Sequence, residues 1–265
     1  MQAKNMVSII IVNYNKYELT ERCIESVVDN LIDIEYEIIV LDNCSTNDSY
    51  NELKSNYIEN ENIKVINSEV NTGFGDGNNK AVDSAKYENV LLLNPDVIVL
   101  ENSIQDMIKR LYEDKAIGII GCKLLNDDMT LQYSCRRYLP INEFLLARTP
   151  LKKFLKADYI KGINEKYLMK DYDHIEDREV DWIMGSCLLL RKEDFINVGG
   201  FSKEYFMYFE DVDLSYKIHK SGKKVLYFPK VEMIHSHEQQ SVKKINKLTF
   251  IHLSSMIKFY KKYRK

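Results

Sequence analysis

The chain has 265 residues, 45% of them hydrophobic and 29% charged, enough to bury a full core and far from a disordered composition. A net charge of −3 gives no general reason to expect nucleic-acid binding, and no apolar run reaches the length of a membrane span. Cys23, Cys44, Cys122, Cys135 and Cys187 are odd in number and lack a CxxC pair, which excludes a thiolate zinc site and, with no signal-peptide pattern ahead of the first strand, leads us to expect a cytoplasmic protein.

A β-branched apolar run predicts a strand over 8–12, ending at Asn13-Tyr14-Asn15. Leu19, Cys23, Ile24, Val27 and Val28 have helical spacing and predict a helix over 17–30. A buried strand over 37–41 is closed by Asp42-Asn43-Cys44-Ser45, followed by a helix over 48–58 and a short strand over 63–66. The Gly/Asn-rich loop 71–79 enters a helix that runs through Ala85. Leu91-Leu92-Leu93 then forms a central strand that stops at Asn94-Pro95-Asp96. Strands alternating with helices at this spacing predict a parallel sheet with right-handed crossovers.

The second half is less regular. A helix is expected over 103–112 and strands over 117–122 and 131–136. Residues 140–180, rich in Lys, Asp and Tyr with weak periodicity, read as an irregular or mobile insertion. A single buried strand is expected over 182–191, then a Gly199-Gly200 turn, a helix over 210–221, and strands over 225–228 and 231–234. No acidic residue follows Glu238, while Lys243, Lys244, Lys247, Lys258, Lys261, Lys262, Arg264 and Lys265 accumulate among apolar residues. Such a basic amphipathic helix over 242–265 either lies on an anionic membrane or packs on the domain with a solvated lysine face.

Five groups of residues carry chemistry. Asp96, at the carboxyl end of a central strand, sits where open α/β sheets bind ligands and suits a divalent cation with oxygen ligands; the alternative is ordinary Asn-Pro-Asp turn chemistry. Asp42 ends its strand at the same sheet edge, placed to accept hydrogen bonds from a base or ribose, or else to build an Asx-turn with Asn43 and Ser45. Gly73-x-Gly75-x-Gly77 lacks GxGxxG spacing and a P-loop lysine, which disfavours dinucleotide or ATP binding but permits close backbone approach to a ligand. Glu210, Asp211 and Asp213 follow an aromatic run and open a helix; one carboxylate satisfies a helix dipole, so another is available to take a proton from an attacking hydroxyl. His235 and His237 share a face of extended chain and can meet a metal at Asp96, or form a surface loop.

Taken in order over residues 6–241, these motifs resemble those of the family-2 inverting glycosyltransferases with the GT-A fold. The resemblance rests on Val7-Ser8-Ile9-Ile10-Ile11-Val12-Asn13-Tyr14-Asn15, Leu41-Asp42-Asn43-x-Ser45, Asn71-x-Gly73-Phe74-Gly75-x-Gly77-Asn78-Asn79 and Leu93-Asn94-Pro95-Asp96. It continues through Val180-Asp181-Trp182-x-x-Gly185, Gly199-Gly200-Phe201, Phe209-Glu210-Asp211-Val212-Asp213 and a terminal His. The similarity is greatest to the branch containing bacterial rhamnosyltransferases. It implies an α/β, Rossmann-like, mainly parallel central sheet flanked by helices, with an irregular acceptor-side second half. Residues 1–241 would form the GT-A domain, with 1–100 the nucleotide-binding half and 101–241 the acceptor-binding half.

The resemblance also implies roles. Asp42 would contact the nucleotide base, in a pocket lined by Val12, Asn13, Tyr14 and Asn15, with Asn43, Gly73, Asn79 and Asn94 in the same nucleotide site. Asp96 would hold Mg2+ or Mn2+, with His235 a late ligand to metal or diphosphate and His237 its alternative. Asp211 would be the general base, while Glu210, Asp213 and Trp182 would orient the acceptor, or Glu210 and Asp213 cap the helix. The donor expected is a nucleoside diphosphate sugar, dTDP-rhamnose first and a UDP-hexose or UDP-N-acetylhexosamine second. The acceptor expected is a glycan or lipid-linked glycan of the cell surface, reached with peripheral membrane contact through 243–265. A binding protein without turnover is the alternative of a different class, disfavoured by the complete set of Asp96, Asp211 and His235. Asn94 stands where many relatives carry a second acid, so metal binding is expected to be weak until the nucleotide diphosphate adds its own oxygens.

Overall fold

Hydrophobic periodicity sets the first half of the computed structural model, which describes residues 5–148, 155–236 and 247–263. Strands β1 (Met6–Asn13), β2 (Glu35–Asp42), β3 (Ile63–Asn67) and β4 (Asn89–Leu93) alternate with helices α1 (Tyr17–Asn30), α2 (Ser49–Tyr57) and α3 (Phe74–Asp83). All five residues of β4 are buried, as are all but the first of β1, because helices cover both faces of a parallel sheet. The order β3-β2-β1-β4 is parallel throughout, with Asn13 opposite Asp42, Asp42 opposite Asn67, and Ile11 opposite Leu93. That register brings the carboxyl ends of all four strands to one edge.

After Asp96 the chain continues through β5 (Val97–Val99), α4 (Ser103–Glu113), β6 (Ile117–Leu125), β7 (Leu131–Gln132) and β8 (Cys135–Arg136). Next come α5 (Ile141–Arg148), α6 (Ala157–Tyr167), β9 (Arg178–Glu179), β10 (Trp182–Ile183), β11 (Cys187–Arg191) and α7 (Lys192–Asn197). Helix α8 (Glu210–Lys220), strand β12 (Lys224–His235) and helix α9 (Lys247–Lys262) complete the described elements. The main sheet runs β3-β2-β1-β4-β11-β6-β12-β5, parallel in the first four strands and mixed beyond, because β11 lies antiparallel to both β4 and β6. Only the three residues 94–96 join β4 to β5, so the far edge of the sheet curls back toward the end of β4.

Four sequence expectations need correction, the first being the strand expected over 131–136, which splits into β7 beside β6 and β8 beside β10. Within 140–180 the described residues form α5 and α6 as well as irregular turns over 168–177; Phe144 and Ile163 are buried in an aromatic cluster with Trp182, Phe209, Met256 and Phe259, contacts that periodicity within the segment does not reveal. The strand expected over 182–191 breaks at Met184-Gly185-Ser186: β10 pairs with β8 in a separate two-stranded sheet, and only β11 joins the main one. In the break, Met184 N–H donates to Ser134, Gly185 N–H to Asp211, and Ser186 carbonyl accepts from Asn94 N–H. Conversely, the strands expected over 225–228 and 231–234 are one strand, β12, which absorbs Pro229 in a register shift between Phe228 and Glu232.

Candidate active site

The antiparallel register of β12 and β5 sets His235 opposite Val97, next to Asp96, and Ser236 N–H donates to the Asp96 carbonyl at 3.0 Å. His235 Nε2 therefore stands 3.3 Å from Asp96 Oδ1, and Lys16 Nζ lies 3.5 Å from Oδ2. Burial pushes the Asp96 carboxyl up, but the neighbouring His235 and the charge of Lys16 outweigh it and hold the group below its ordinary value. Lys16 was not foreseen, although its place one residue after Asn13-Tyr14-Asn15 marks it as part of the loop at this edge. His237 lies outside the described residues.

Beside this corner, the β1 and β2 loops are laced together. Asp42, 1% exposed, accepts from Asn13 Nδ2 at 2.7 Å and from Ser45 Oγ at 2.6 Å on one oxygen, and from Ser45 N–H at 2.8 Å on the other. The Asx-turn and a base-facing role are thus compatible only through the lone pair left on Oδ1. Asn13 is likewise engaged, its Oδ1 accepting from Lys16 N–H and Thr20 Oγ. Asn15 adopts a left-handed conformation (φ 57°) and its side-chain oxygen accepts from Thr46 N–H, while the Tyr14 ring is left 43% exposed at the edge. Val12 is buried beneath α3, where its side chain limits the space at Gly77.

The Gly-rich loop is held to the rest of the cleft. Asn43 Nδ2 donates to the Gly73 carbonyl at 2.9 Å, and Phe74 N–H donates to the Phe206 carbonyl at 3.1 Å. Gly73 has φ +84°, and a Cβ there would collide with the Phe206 carbonyl, so only glycine fits. Asn79 is a brace: its amide donates to the Phe201 carbonyl at 2.8 Å and accepts from Phe201 N–H at 2.9 Å. Each polar atom of this amide thus makes one bond to backbone, leaving one hydrogen on Nδ2 and one lone pair on Oδ1.

Asp211 reaches this edge from α8. Its Oδ2 accepts from Gly185 N–H at 3.0 Å and its Oδ1 from Val212 N–H at 2.8 Å. Burial raises the Asp211 carboxyl despite those N–H groups and the positive charge of Arg136. Glu210 is pushed well above the usual carboxylate range by burial and by the neighbouring Asp211, and its Oε2 is buried without a hydrogen-bond partner among the described residues. The two residues before it, Tyr208 (φ 67°) and Phe209 (φ 69°), are both left-handed, a strained backbone at the start of the helix.

Asp213 differs from its expected role as an acceptor-orienting group. Wholly buried, it binds Ser202 Oγ at 2.6 Å, Tyr263 OH at 2.7 Å, Lys262 Nζ at 3.0 Å and Lys217 Nζ at 3.2 Å. It anchors the end of α9 to α8. Trp182 is also buried, its ring 6.0 Å from Tyr167 and 5.9 Å from the Arg136 guanidinium, behind Met184. Arg136, invisible as a site residue in the sequence, stacks on that aromatic wall, and its charge favours the ionised Asp211.

Among the described residues no three His, Cys, Asp or Glu side chains gather around one point. The corner nevertheless fits a hard divalent cation. Asp96 and His235 supply two donor groups, and the buried Asn94 Oδ1 has no hydrogen-bond partner among the described residues. A cation such as Mg2+ or Mn2+ held by so few protein groups completes its shell with water and substrate phosphate oxygens.

A sequence profile described as Glycosyl transferase family 2 matches residues 8–213. The chain is 29% identical to the rhamnosyltransferase WbbL of Escherichia coli (strain K12) over 262 residues, 96% of this chain and 92% of that one. It is 27% identical over 209 residues to the N-acetylglucosaminyl-diphospho-decaprenol L-rhamnosyltransferase of Mycobacterium tuberculosis (strain ATCC 25618 / H37Rv), covering 75% of this chain and 66% of that one. Among solved structures it resembles GalNAc-T7 with UDP, GalNAc and Mn2+ (TM-score 0.71, 17% identity, 97% of this chain and 48% of that one). It also resembles the mannosyltransferase PcManGT from Pyrobaculum calidifontis in complex with GDP-Man and Mn2+ (TM-score 0.60, 16% identity, 88% and 57%). At such identities these structures speak to the fold, a GT-A fold, and the profile speaks to the family. The chain belongs to glycosyl transferase family 2.

Proposed function

We propose that this glycosyltransferase inverts the anomeric centre of its donor, moving a sugar from a nucleoside diphosphate to a glycan or lipid-linked glycan acceptor. The observation that carries this reading is the run of contacts in which Asp211, a half-buried carboxylate, binds Gly185 N–H while the adjacent Ser186 carbonyl binds Asn94 N–H, two residues from the Asp96–His235 corner. Asp211 takes the proton as the acceptor hydroxyl attacks; the Gly185 and Val212 N–H groups keep its carboxylate aimed. A single displacement inverts the centre and needs no enzyme nucleophile. Asp96 and His235 are the residues that would hold Mg2+ or Mn2+, which would supply positive charge for the leaving diphosphate. Tyr14, Asn15, Asp42 and the Asn43–Gly73 contact shape the nucleotide pocket.

L-Rhamnose from dTDP-rhamnose is the favoured donor, supported by the two relatives whose names state rhamnosyl transfer. A UDP-hexose or UDP-N-acetylhexosamine is the second reading, supported by the Haloferax volcanii relative named as a hexosyltransferase. Peripheral membrane contact through α9 is supported by Phe250, Leu253 and Ile257, which stand exposed beside Lys258 and Lys261. No helix among the described residues is long and apolar enough to cross a membrane.

A panel of nucleotide-sugars with Mn2+ tests the donor. The true donor at a hundred times its Kd adds about 2.7 kcal/mol of stability and supports product formation with an acceptor. Equal stabilisation by every nucleotide-sugar without transfer would instead favour a binding protein.

A further inference from the structure

Gln132, on the short strand β7, is bonded to His235 across 103 positions of sequence. His235 Nδ1 and Gln132 Oε1 are 2.6 Å apart, while Gln132 Nε2 is 3.0 Å from Asn126 Oδ1 and 3.2 Å from the His235 carbonyl. Which way an amide points is decided by the polarity of its neighbours. Here that polarity is settled from the far end. The Asp128 carboxylate only accepts, so Thr130 Oγ donates its hydrogen to Oδ1 at 2.5 Å. Thr130 Oγ must then accept from Asn126 Nδ2 at 2.9 Å, which turns Asn126 Oδ1 toward Gln132. Gln132 Nε2 donates to that oxygen and to the His235 carbonyl, leaving Oε1 to face the imidazole. An amide oxygen only accepts; the proton of the neutral ring therefore sits on Nδ1.

We infer that Gln132 is a positioning residue that locks His235 as the Nδ1–H tautomer, so that its Nε2 lone pair and Asp96 Oδ1 face a shared cation. The inference rests on the reading of Asp96 and His235 as metal-holding residues. Two lone pairs set 3.3 Å apart repel each other unless a proton or a metal ion lies between them. With the opposite tautomer, Nε2–H would simply donate to Asp96, and a metal would have to displace that hydrogen bond first. The loop of residues 126–130, closed by paired bonds between Asn126 and Thr130, thus carries a chain of fixed donors into the catalytic edge. Ligating histidines are commonly held this way through their second nitrogen.

The test combines ring-nitrogen NMR with metal binding in Gln132→Met and Gln132→Glu. In metal-free protein at about pH 9, where an ordinary imidazole is neutral, the unsubstituted protein should show His235 protonated at Nδ1. Gln132→Met should move the proton to Nε2, and Gln132→Glu, which restores an acceptor, should return it to Nδ1. Mn2+ affinity with UDP or dTDP present, read by electron paramagnetic resonance, should fall about ten- to hundredfold in the Met variant and recover in the Glu variant. An Nε2–H ring in the unsubstituted protein, or an unchanged tautomer in Gln132→Met, overturns the inference. Asp96→Asn and His235→Ala provide the separate check. If neither lowers Mn2+ affinity, the metal reading fails, while the tautomer measured without metal still judges Gln132.

Discussion

Lys16 Nζ lies 3.5 Å from Asp96 Oδ2, on the opposite carboxylate oxygen from His235. The carboxylate proposed to hold a metal is therefore already facing an ammonium, which competes with a cation in the empty site and can pair with a diphosphate in the loaded one. Lys16→Ala should raise Mn2+ affinity of the nucleotide-free protein by about fivefold, on the order of 1 kcal/mol for a partly exposed pair. The same variant should weaken UDP or dTDP binding. Calorimetric titrations with each ligand read both effects; an unaltered Mn2+ affinity would remove Lys16 from the site.

Asp211 is raised by burial, and a base works only when deprotonated, so activity should be lost as pH falls through that raised value. The acid limb of kcat is expected above the ordinary aspartate value of about 3.9, and it belongs to the Glu210–Asp211 pair because the two share one charge balance. Asp211→Asn should lower kcat by about a hundred- to ten-thousandfold while leaving nucleotide affinity nearly intact. Turnover that survives the substitution would overturn the assignment of the base.

The sequence made one side of this site legible and left the other dark. Strand-end residues such as Asp42 and Asp96 could be read because buried apolar runs announce where parallel strands stop, and those ends share an edge. His235 could be read as a partner only in chemistry, since its meeting with Asp96 depends on the antiparallel register of β12 and β5. Gln132 and Arg136 carried no signal, being ordinary polar residues whose meaning comes from contacts far along the chain, and Lys16 carried only its place in the loop after β1. The same limit explains α5 and α6: their few apolar residues gain a face only when α9 and Trp182 pack against them. Asn79 and Asp213 present the converse case, for they sit within recognisable motifs while their side chains bond other parts of the chain.

Glu210 supplies a stability prediction of definite sign. Its folded-state pKa is raised, so the folded protein holds this proton more tightly than the unfolded chain. Its contribution is favourable in acid and is lost as pH rises from the unfolded value through the folded one. Glu210→Gln removes the buried ionisation and should stabilise the protein at neutral pH, by about 1 kcal/mol or more, or roughly 2–4 °C in Tm. The gain should vanish below about pH 4, where the unfolded carboxyl is itself protonated. A Tm difference that is independent of pH would show that Glu210 ionisation is not the cause.

Helix α9 supports the strained turn ahead of the base. His252 lies 5.0 Å from the Tyr208 ring and 5.5 Å from Phe209, Phe259 lies 5.6 Å from Phe209, and Ser255 Oγ donates to the Met207 carbonyl at 2.9 Å. Asp213 fastens the far end of the helix through Lys262 and Tyr263. Burial pushes the Asp213 carboxyl up, but Ser202, Lys217, Tyr263 and Lys262 more than offset it. Its stabilising effect is therefore present above the ordinary carboxylate range and lost as pH falls through its depressed folded value. Asp213→Ala leaves Lys217 and Lys262 without their shared anion and should cost about 3–5 kcal/mol. Ser255→Ala is the milder probe: it removes one hydrogen bond, about 1 kcal/mol, from the contact that holds residues 207–209 in place. If α9 positions Asp211 through that turn, Ser255→Ala should lower kcat several-fold with unchanged affinity for UDP and Mn2+. A variant with native kcat but a lowered Tm would confine α9 to stability alone.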